Sequence, residues 1–150
     1  MNGYNEEDEK QSLVEDLVTL YGSAGPQTLS PLVLMDRARA GLSMAYLQDL
    51  CSKLGVSLSE MSGFLHISLR TLQRYPDLKV LDIDLSSKLL LLTDLYAHGQ
   101  DVMSAEGFRL WLRESVPILG GQTPLSMLDN PFGIRQVDYT LGQLEHGVFA

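Results

Sequence analysis

The chain has 150 residues, of which 45% are hydrophobic, and a formal net charge of −8 at pH 7. This length allows one or two small cores, and no segment has the roughly 18 uninterrupted apolar residues that a membrane helix needs. The first residues are acidic and no apolar stretch follows them, so no secretory signal is expected and a cytoplasmic location is the default.

The charge is unevenly distributed along the chain. Residues 1–36 contain seven acidic residues and one lysine, a net charge of −6. Residues 37–79 contain six basic and three acidic residues (+3), whereas residues 80–150 contain nine acidic and four basic residues (−5). Only the middle third can therefore approach a polyanion such as DNA without repulsion. Its small excess predicts weak binding by a single copy, which dimerisation would reinforce. The candidate dimer contacts are the apolar faces around Leu47 and Leu54 and those of the later helices.

Helical patterns begin near residue 12. Apolar residues at helical spacing predict a short helix over residues 12–21, and the Gly22–Pro26 stretch has the composition of a linker. A second helix is predicted from Pro31 to Ala40. In a third, capped by Ser43 and ended by Gly55, the lone Cys51 lies on the apolar face, so burial and a structural role are expected for it.

Two short helices follow in quick succession. Ser57 and Glu60 form a capping box, in which each side chain satisfies a free backbone N–H of the other residue. His66 and Ile67 form a turn of a few residues, and Ser68 caps the next helix, which Pro76 ends. A short helix, a tight turn and a second helix are typical of a helix-turn-helix, whose second helix lies in the DNA major groove.

The outward positions of this second helix carry chemistry suited to DNA. Arginine pairs with guanine acceptors, glutamine with adenine, and hydroxyls reach phosphates or base edges. The alternative is an ordinary solvated face, but the helix-turn-helix geometry favours DNA contact. The predicted DNA-binding residues are Ser68, Arg70, Thr71, Gln73 and Arg74.

The second half also has helical patterns and hardly any strand pattern. A leucine-rich helix is predicted from about Leu85 to His98, with Gly99 as its end. Ser104 can cap a helix with an aromatic face that includes Trp111. Two further helices, Pro124 to Asp129 and Pro131 to His146, each begin with a polar residue followed by proline. The chain is therefore predicted to be all-α.

The last helix ends at Gly147 and is followed by the apolar tail Val148–Phe149–Ala150 with its carboxylate. Such a tail is predicted to insert into a partner, the alternative being that it folds back onto the chain's own core. Catalysis is not expected: His66, His98 and His146 are far apart, and neither a metal-ligand pattern nor a phosphate-binding glycine loop occurs. No cofactor or metal is expected.

Several motifs stand in the order found in one protein family. They are Arg39-x-Gly41-Leu42, the helix-turn-helix Leu58 to Tyr75, Trp111-Leu112, Leu119-Gly-Gly-x-x-Pro-Leu125, Asn130-Pro-Phe-Gly133 and Leu144-Glu-His-Gly-Val-Phe-Ala150. Residues 37–150 thus resemble the Xre/MbcA/ParS antitoxins, partners of RES-domain toxins. The expected organisation is a flexible acidic segment with one short helix (1–30), an Xre-like helix-turn-helix domain (31–79) and a toxin-binding domain (80–150).

The resemblance implies a specific function. Family members are dimerising antitoxins that bind the promoter of their own operon and also bind a RES-domain toxin, which consumes NAD or transfers ADP-ribose from it. By this resemblance the C-terminal helix and tail cover the NAD pocket of the toxin. The expected toxin-binding residues are Asn130, Phe132, Arg135, Glu145, His146, Gly147, Val148, Phe149 and Ala150.

Two other function classes fit the same sequence. One is a stand-alone transcriptional regulator whose C-terminal domain only dimerises or senses a ligand. The other is an interaction protein whose helix-turn-helix no longer binds DNA, which the acidic total charge and the short second helix would suit. A RES-domain reading frame next to the gene would favour the antitoxin over both.

Overall fold

The structure, a computed structural model, describes residues 13–21 and 30–147. This part of the chain is mostly helical and contains no β-strand, only one antiparallel bridge between Ser43 and Val80. The all-α prediction is confirmed, and no helix in the described ranges is long and apolar enough to cross a membrane. The α-helices are α1 (Leu13–Tyr21), α2 (Pro31–Ala40), α3 (Met44–Leu54), α4 (Leu58–Leu65), α5 (Leu69–Arg74), α6 (Ile83–Val102), α7 (Ala105–Leu112) and α8 (Pro131–Glu145).

The predicted helix starts are confirmed where a polar side chain caps the first turn. The Ser43 hydroxyl accepts a hydrogen bond from the Tyr46 amide, and Ser104 and Asn130 accept equivalent bonds from the amides three residues further on. These caps are local, so the sequence alone is enough to predict where these three helices begin. The Gly22–Pro26 stretch predicted as a linker lies outside the described residues.

Helix α6 differs from its prediction at both ends. It begins at Ile83 because the Asp82 carboxylate, rather than a residue nearer Leu85, accepts the capping hydrogen bond from the Leu85 amide. It also continues past Gly99 to Val102, so the prediction of a stop at Gly99 is wrong. An ideal Cβ on Gly99 would lie 2.6 Å from Cδ2 of Phe108. The glycine is therefore needed for close packing of α7 rather than for ending the helix.

The helix predicted from Pro124 to Asp129 is only a 3-10 turn, Pro124–Met127. The Thr123 hydroxyl caps it, and Asn130 already caps α8. A second 3-10 turn, Pro117–Leu119, follows α7.

Helix α6 lies in the middle of the molecule and packs against α1, α2, α3, α7 and α8. Its leucines Leu89, Leu92 and Leu95 are at most 1% exposed. The buried Tyr46 hydroxyl of α3 and the Thr93 hydroxyl of α6 are 2.7 Å apart, and burial raises the pKa of Tyr46 to about 12. Apolar packing and matched buried polar groups thus hold both halves of the chain on one helix.

Helix α1 also packs on this core, since Val14 and Leu17 are buried. The Val14 amide donates to the Asp49 carboxylate of α3, and the Tyr96 hydroxyl of α6 donates to Glu15. Glu15 of the short N-terminal helix and Asp49 of α3 therefore contribute to the docking of α1.

Two expectations about α3 have different outcomes. Cys51 is buried as predicted, and burial raises the pKa of its thiol to about 12, so the thiol stays protonated. Leu47 and Leu54, candidates for a dimer contact by sequence, are 0% and 1% exposed because they pack inside their own chain. That suggestion is wrong.

His98 joins α6 to α8 through both nitrogens of its ring. Nδ1 lies 2.7 Å from the Asp138 carboxylate and Nε2 lies 3.1 Å from the Glu145 carboxylate. Burial by itself would lower the pKa of His98, but the hydrogen bonds to the two carboxylates raise it above the usual histidine value. A protonated ring can donate to both acceptors at once, so protonation strengthens the attachment of α8.

We expect Gly99→Ala to destabilise the protein, although alanine is the better helix former. The added methyl group would overlap the rigid ring of Phe108, and overpacking of this kind costs about 1–3 kcal/mol. Urea unfolding measures the loss. The control is Gly63→Ala in α4, where a Cβ would meet nothing within 4 Å and a small stabilisation is expected. Equal effects of the two substitutions would contradict the packing role of Gly99.

We expect the contribution of His98 to stability to depend on pH. Because its pKa is raised in the folded state, the stabilisation is complete below the unfolded-state pKa, near 6.5, and is lost as the pH rises through the folded-state value. Unfolding free energies of the protein and His98→Gln should differ by about 1 kcal/mol at pH 5.5 and converge in alkaline solution. The matched control is His146→Gln, at an exposed histidine. A His98→Gln effect that does not change with pH would exclude this account.

Candidate nucleic-acid interface and C-terminal surface

Helices α4 and α5 form the predicted helix-turn-helix. The turn between them is closed by His66, whose backbone is left-handed with φ 55° and ψ 39°. Glycine is the usual residue for this conformation, and histidine tolerates it better than most other residues. The Ser68 hydroxyl then accepts a hydrogen bond from the Thr71 amide and starts α5. The prediction of a helix-turn-helix at these residues is confirmed.

The start of α4 is hydrogen-bonded to the residue that follows α7. The capping box is present: the Ser57 hydroxyl accepts from the Glu60 amide, and Glu60 Oε1 accepts from the Ser57 amide. Arg113 donates to both carboxylate oxygens of Glu60, at 2.9 and 3.1 Å, and to the Gly55 carbonyl at 2.7 Å. The hydrogen bonds from Arg113 and from the Ser57 amide lower the pKa of Glu60. Glu60 therefore remains ionised and orients α4.

The end of α4 is fastened to the C-terminal half as well. Nε2 of His66 lies 2.6 Å from the Asp129 carbonyl oxygen, and Nζ of Lys88 in α6 donates to the Leu65 carbonyl at 3.3 Å. Sequence reasoning missed these contacts because the partners lie 63 and 23 residues apart. The turn that precedes α5 is thereby held to the loop that precedes α8.

The five predicted DNA-binding residues all lie on α5 or at its cap. The Ser68 and Thr71 hydroxyls are 2.7 Å apart, so they are partly engaged with each other. Arg70, Gln73 and Arg74 are exposed, and in the described ranges no ion pair occupies either guanidinium group. The geometry leaves these three side chains available to an external ligand.

The start of α8 explains the Asn-Pro-Phe-Gly sequence. Asn130 caps the helix through the Gly133 amide, and Pro131 occupies the first turn, where its missing N–H is not needed. A Cβ on Gly133 would lie 1.8 Å from the Met127 carbonyl oxygen, so only glycine fits against the preceding 3-10 turn. Phe132 does not enter the core: it is 78% exposed.

One face of α8 presents two aromatic rings to solvent. Tyr139, 61% exposed, lies seven residues after Phe132 and therefore on the same side of the helix, with the exposed Arg135 nearby. Tyr139 was not among the predicted toxin-binding residues, although its spacing from Phe132 could have identified it. Large exposed aromatic residues rimmed by polar groups are typical of protein-binding surfaces.

The other predicted residues lie near the end of α8. Glu145 is engaged with His98, His146 is exposed at the C-cap, and Gly147 is left-handed with φ 67°. Val148, Phe149 and Ala150 lie outside the described residues. An apolar groove with about 520 Å³ of empty space lies beside the last turn of α8, lined by Trp111, Val116, Pro117, Ile118, Thr140 and Leu144.

The described ranges contain no cluster of three or more histidine, cysteine, aspartate or glutamate side chains suited to a metal ion. His98 contacts two carboxylates, a combination that could support acid-base chemistry. Each of its ring nitrogens, however, already has a hydrogen-bond partner within the protein.

Comparison with known protein families gives two matches that follow each other along the chain. Residues 33–93 match the antitoxin Xre-like helix-turn-helix domain, and residues 98–147 match the antitoxin Xre/MbcA/ParS C-terminal toxin-binding domain. A search of curated proteins found no match. The chain is therefore similar, in this order, to an antitoxin Xre-like helix-turn-helix domain and to an Xre/MbcA/ParS toxin-binding domain.

Proposed function

We propose that the protein is the antitoxin of a type II toxin–antitoxin system that neutralises a RES-domain toxin and represses its own operon. The observation that carries the proposal is the union, in one chain, of a helix-turn-helix with exposed arginines and a domain of the toxin-binding family with exposed aromatic residues. The test is whether the product of the neighbouring gene is a RES-domain protein that this chain binds and inhibits.

The DNA-binding step uses α5. With this helix in the major groove, Arg70 and Arg74 lie one turn apart and reach guanine edges or phosphates, while Gln73 pairs with adenine. The Ser68 and Thr71 hydroxyls, linked to each other, remain as phosphate contacts. The fastening of α4 at both ends supports this role, because it fixes the orientation of α5 before DNA binds and lowers the entropic cost of binding.

Dimerisation is part of the proposal because one module has few cations and the whole chain is acidic. Two linked modules bind two half-sites with a gain in effective affinity. Leu47 and Leu54 are buried and cannot form the dimer contact. Exposed apolar residues near the helix-turn-helix that can form it are Leu78, Val80 and Ile83, which are 87%, 58% and 51% exposed.

The toxin-binding step uses the exposed face of α8 and the tail. Phe132 and Arg135, with Asn130 beside them, hold the domain against the toxin, and Tyr139 extends the same face. The tail enters the NAD pocket, where His146, Phe149 and the carboxylate of Ala150 compete with the nucleotide. Glu145 contributes through its contact with His98. This contact fixes the end of α8, which Gly147 and the tail follow.

We expect the double substitution Arg70→Ala, Arg74→Ala to weaken binding to the DNA upstream of the gene. A bidentate arginine contributes about 1–3 kcal/mol of discrimination, so an electrophoretic shift assay should show a loss of at least tenfold. The matched control is Arg135→Ala, which removes an exposed arginine from α8 and should leave DNA binding unchanged. If the double variant binds as tightly as the parent protein, α5 is not in the interface.

We expect deletion of residues 147–150 to abolish protection from the toxin while leaving DNA binding intact. The deletion removes no described core residue, but it removes the segment proposed to enter the NAD pocket. Co-expression with the neighbouring toxin, followed by measurement of cellular NAD, is the readout. Preserved NAD and growth with the truncated protein would show that the tail is not the inhibitory element.

The affinity between the purified antitoxin and toxin separates docking from inhibition. Phe132→Ser should weaken the complex by about thirtyfold or more, because a large aromatic side chain at the centre of an interface typically contributes about 2 kcal/mol or more. Leu32→Ser on α2, where the leucine is 69% exposed, is the control and should leave the complex intact. An unchanged affinity in Phe132→Ser would move the toxin away from this face of α8.

A further inference from the structure

Helix α5 is unusually short for a recognition helix. It ends at Arg74 because Tyr75 adopts an extended backbone, φ −73° and ψ 126°, ahead of Pro76, which cannot continue a helix. Six residues provide few contacts to DNA. The residues immediately after the helix are therefore a place to look for further contacts.

The turn after α5 is fastened to the start of α3. The Lys79 amide donates to the Pro76 carbonyl at 2.9 Å, and the Lys79 carbonyl accepts from the Met44 amide at 2.8 Å. The Asp77 carbonyl accepts from the Ala45 amide at 3.0 Å. The backbone of residues 76–79 is thus held at several points, and Lys79 has a defined position relative to the end of α5.

The Lys79 side chain is held too. Its Nζ lies 5.4 Å from the centre of the Tyr75 ring, within the range of a cation–π contact. Tyr75 is half-buried and packs against the core, so the ring is a fixed support. Asp77 is two residues away, yet among the described residues no carboxylate pairs with Lys79. The positive charge remains exposed to an external anion.

We propose that Lys79, supported on the Tyr75 ring, is a DNA phosphate contact that extends the short recognition helix. It lies five residues after Arg74 in an exposed turn, where it can reach the backbone that flanks the groove occupied by α5. Aromatic support lowers the freedom of the lysine side chain before binding, as pre-organised contacts require. The inference rests on the proposed DNA-binding function and adds to it a contact outside the helix-turn-helix.

The experiment measures affinity for the upstream DNA and for a scrambled duplex over a range of salt concentrations. A lysine that contacts one phosphate accounts for about 0.9 of the slope of log affinity against log salt. Lys79→Gln should therefore make the slope shallower by about 0.9 and weaken both duplexes by about fivefold near 0.15 M salt. Lys79→Arg should keep the slope. Tyr75→Leu, checked for an unchanged melting temperature, should give a slope between those of Lys79→Gln and Lys79→Arg.

The matched control is Lys53→Gln in α3, which makes the same change in net charge at a lysine whose Nζ lies 3.9 Å from Glu15. It should leave the slope unchanged. An unchanged slope in Lys79→Gln, or an equal change in Lys53→Gln, would overturn the inference. Failure of the parent protein to bind either duplex would instead defeat the proposed DNA-binding function, so the two failures are distinguishable.

Discussion

Burial of α6 is the interaction on which the rest of the structure depends. An amphipathic helix needs cover on one side only, but α6 is apolar around most of its circumference, and elements from both halves of the chain cover it. The two family matches end at residue 93 and begin at residue 98, both inside this helix. The regions that match the helix-turn-helix and toxin-binding families therefore share one core. Polar contacts at Glu60, His66 and His98 fix the orientation of the elements that pack around it.

Much of this fold can be predicted from sequence because the signals are local. Serine, aspartate and asparagine caps act on amides three residues away, and the capping box at Ser57 lies within one turn. The same holds for the exposed side of α5, since helical periodicity alone separates Leu72 from Arg70 and Gln73.

The errors and omissions concern residues whose role depends on distant partners. Glycine often marks the end of a helix, but Gly99 lies inside α6. The ring of Phe108, which packs too closely for a Cβ, is the reason for a glycine at this position. His98 meets carboxylates 40 and 47 residues away, and no spacing rule links them. Burial of Leu47 and Leu54 in the core of their own chain could not be distinguished by sequence from burial in a dimer contact, because either kind of burial requires an apolar face. Sequence patterns identify which faces must be covered, and only the structure identifies what covers them.

A shared core also affects how the protein unfolds. Amides in the middle of α6 are covered from both sides, so they exchange with solvent only when the whole domain opens. Opening of α6 removes the support of the helices on both sides of it at once. Under the proposed function, such an opening would end DNA binding and toxin binding in a single event.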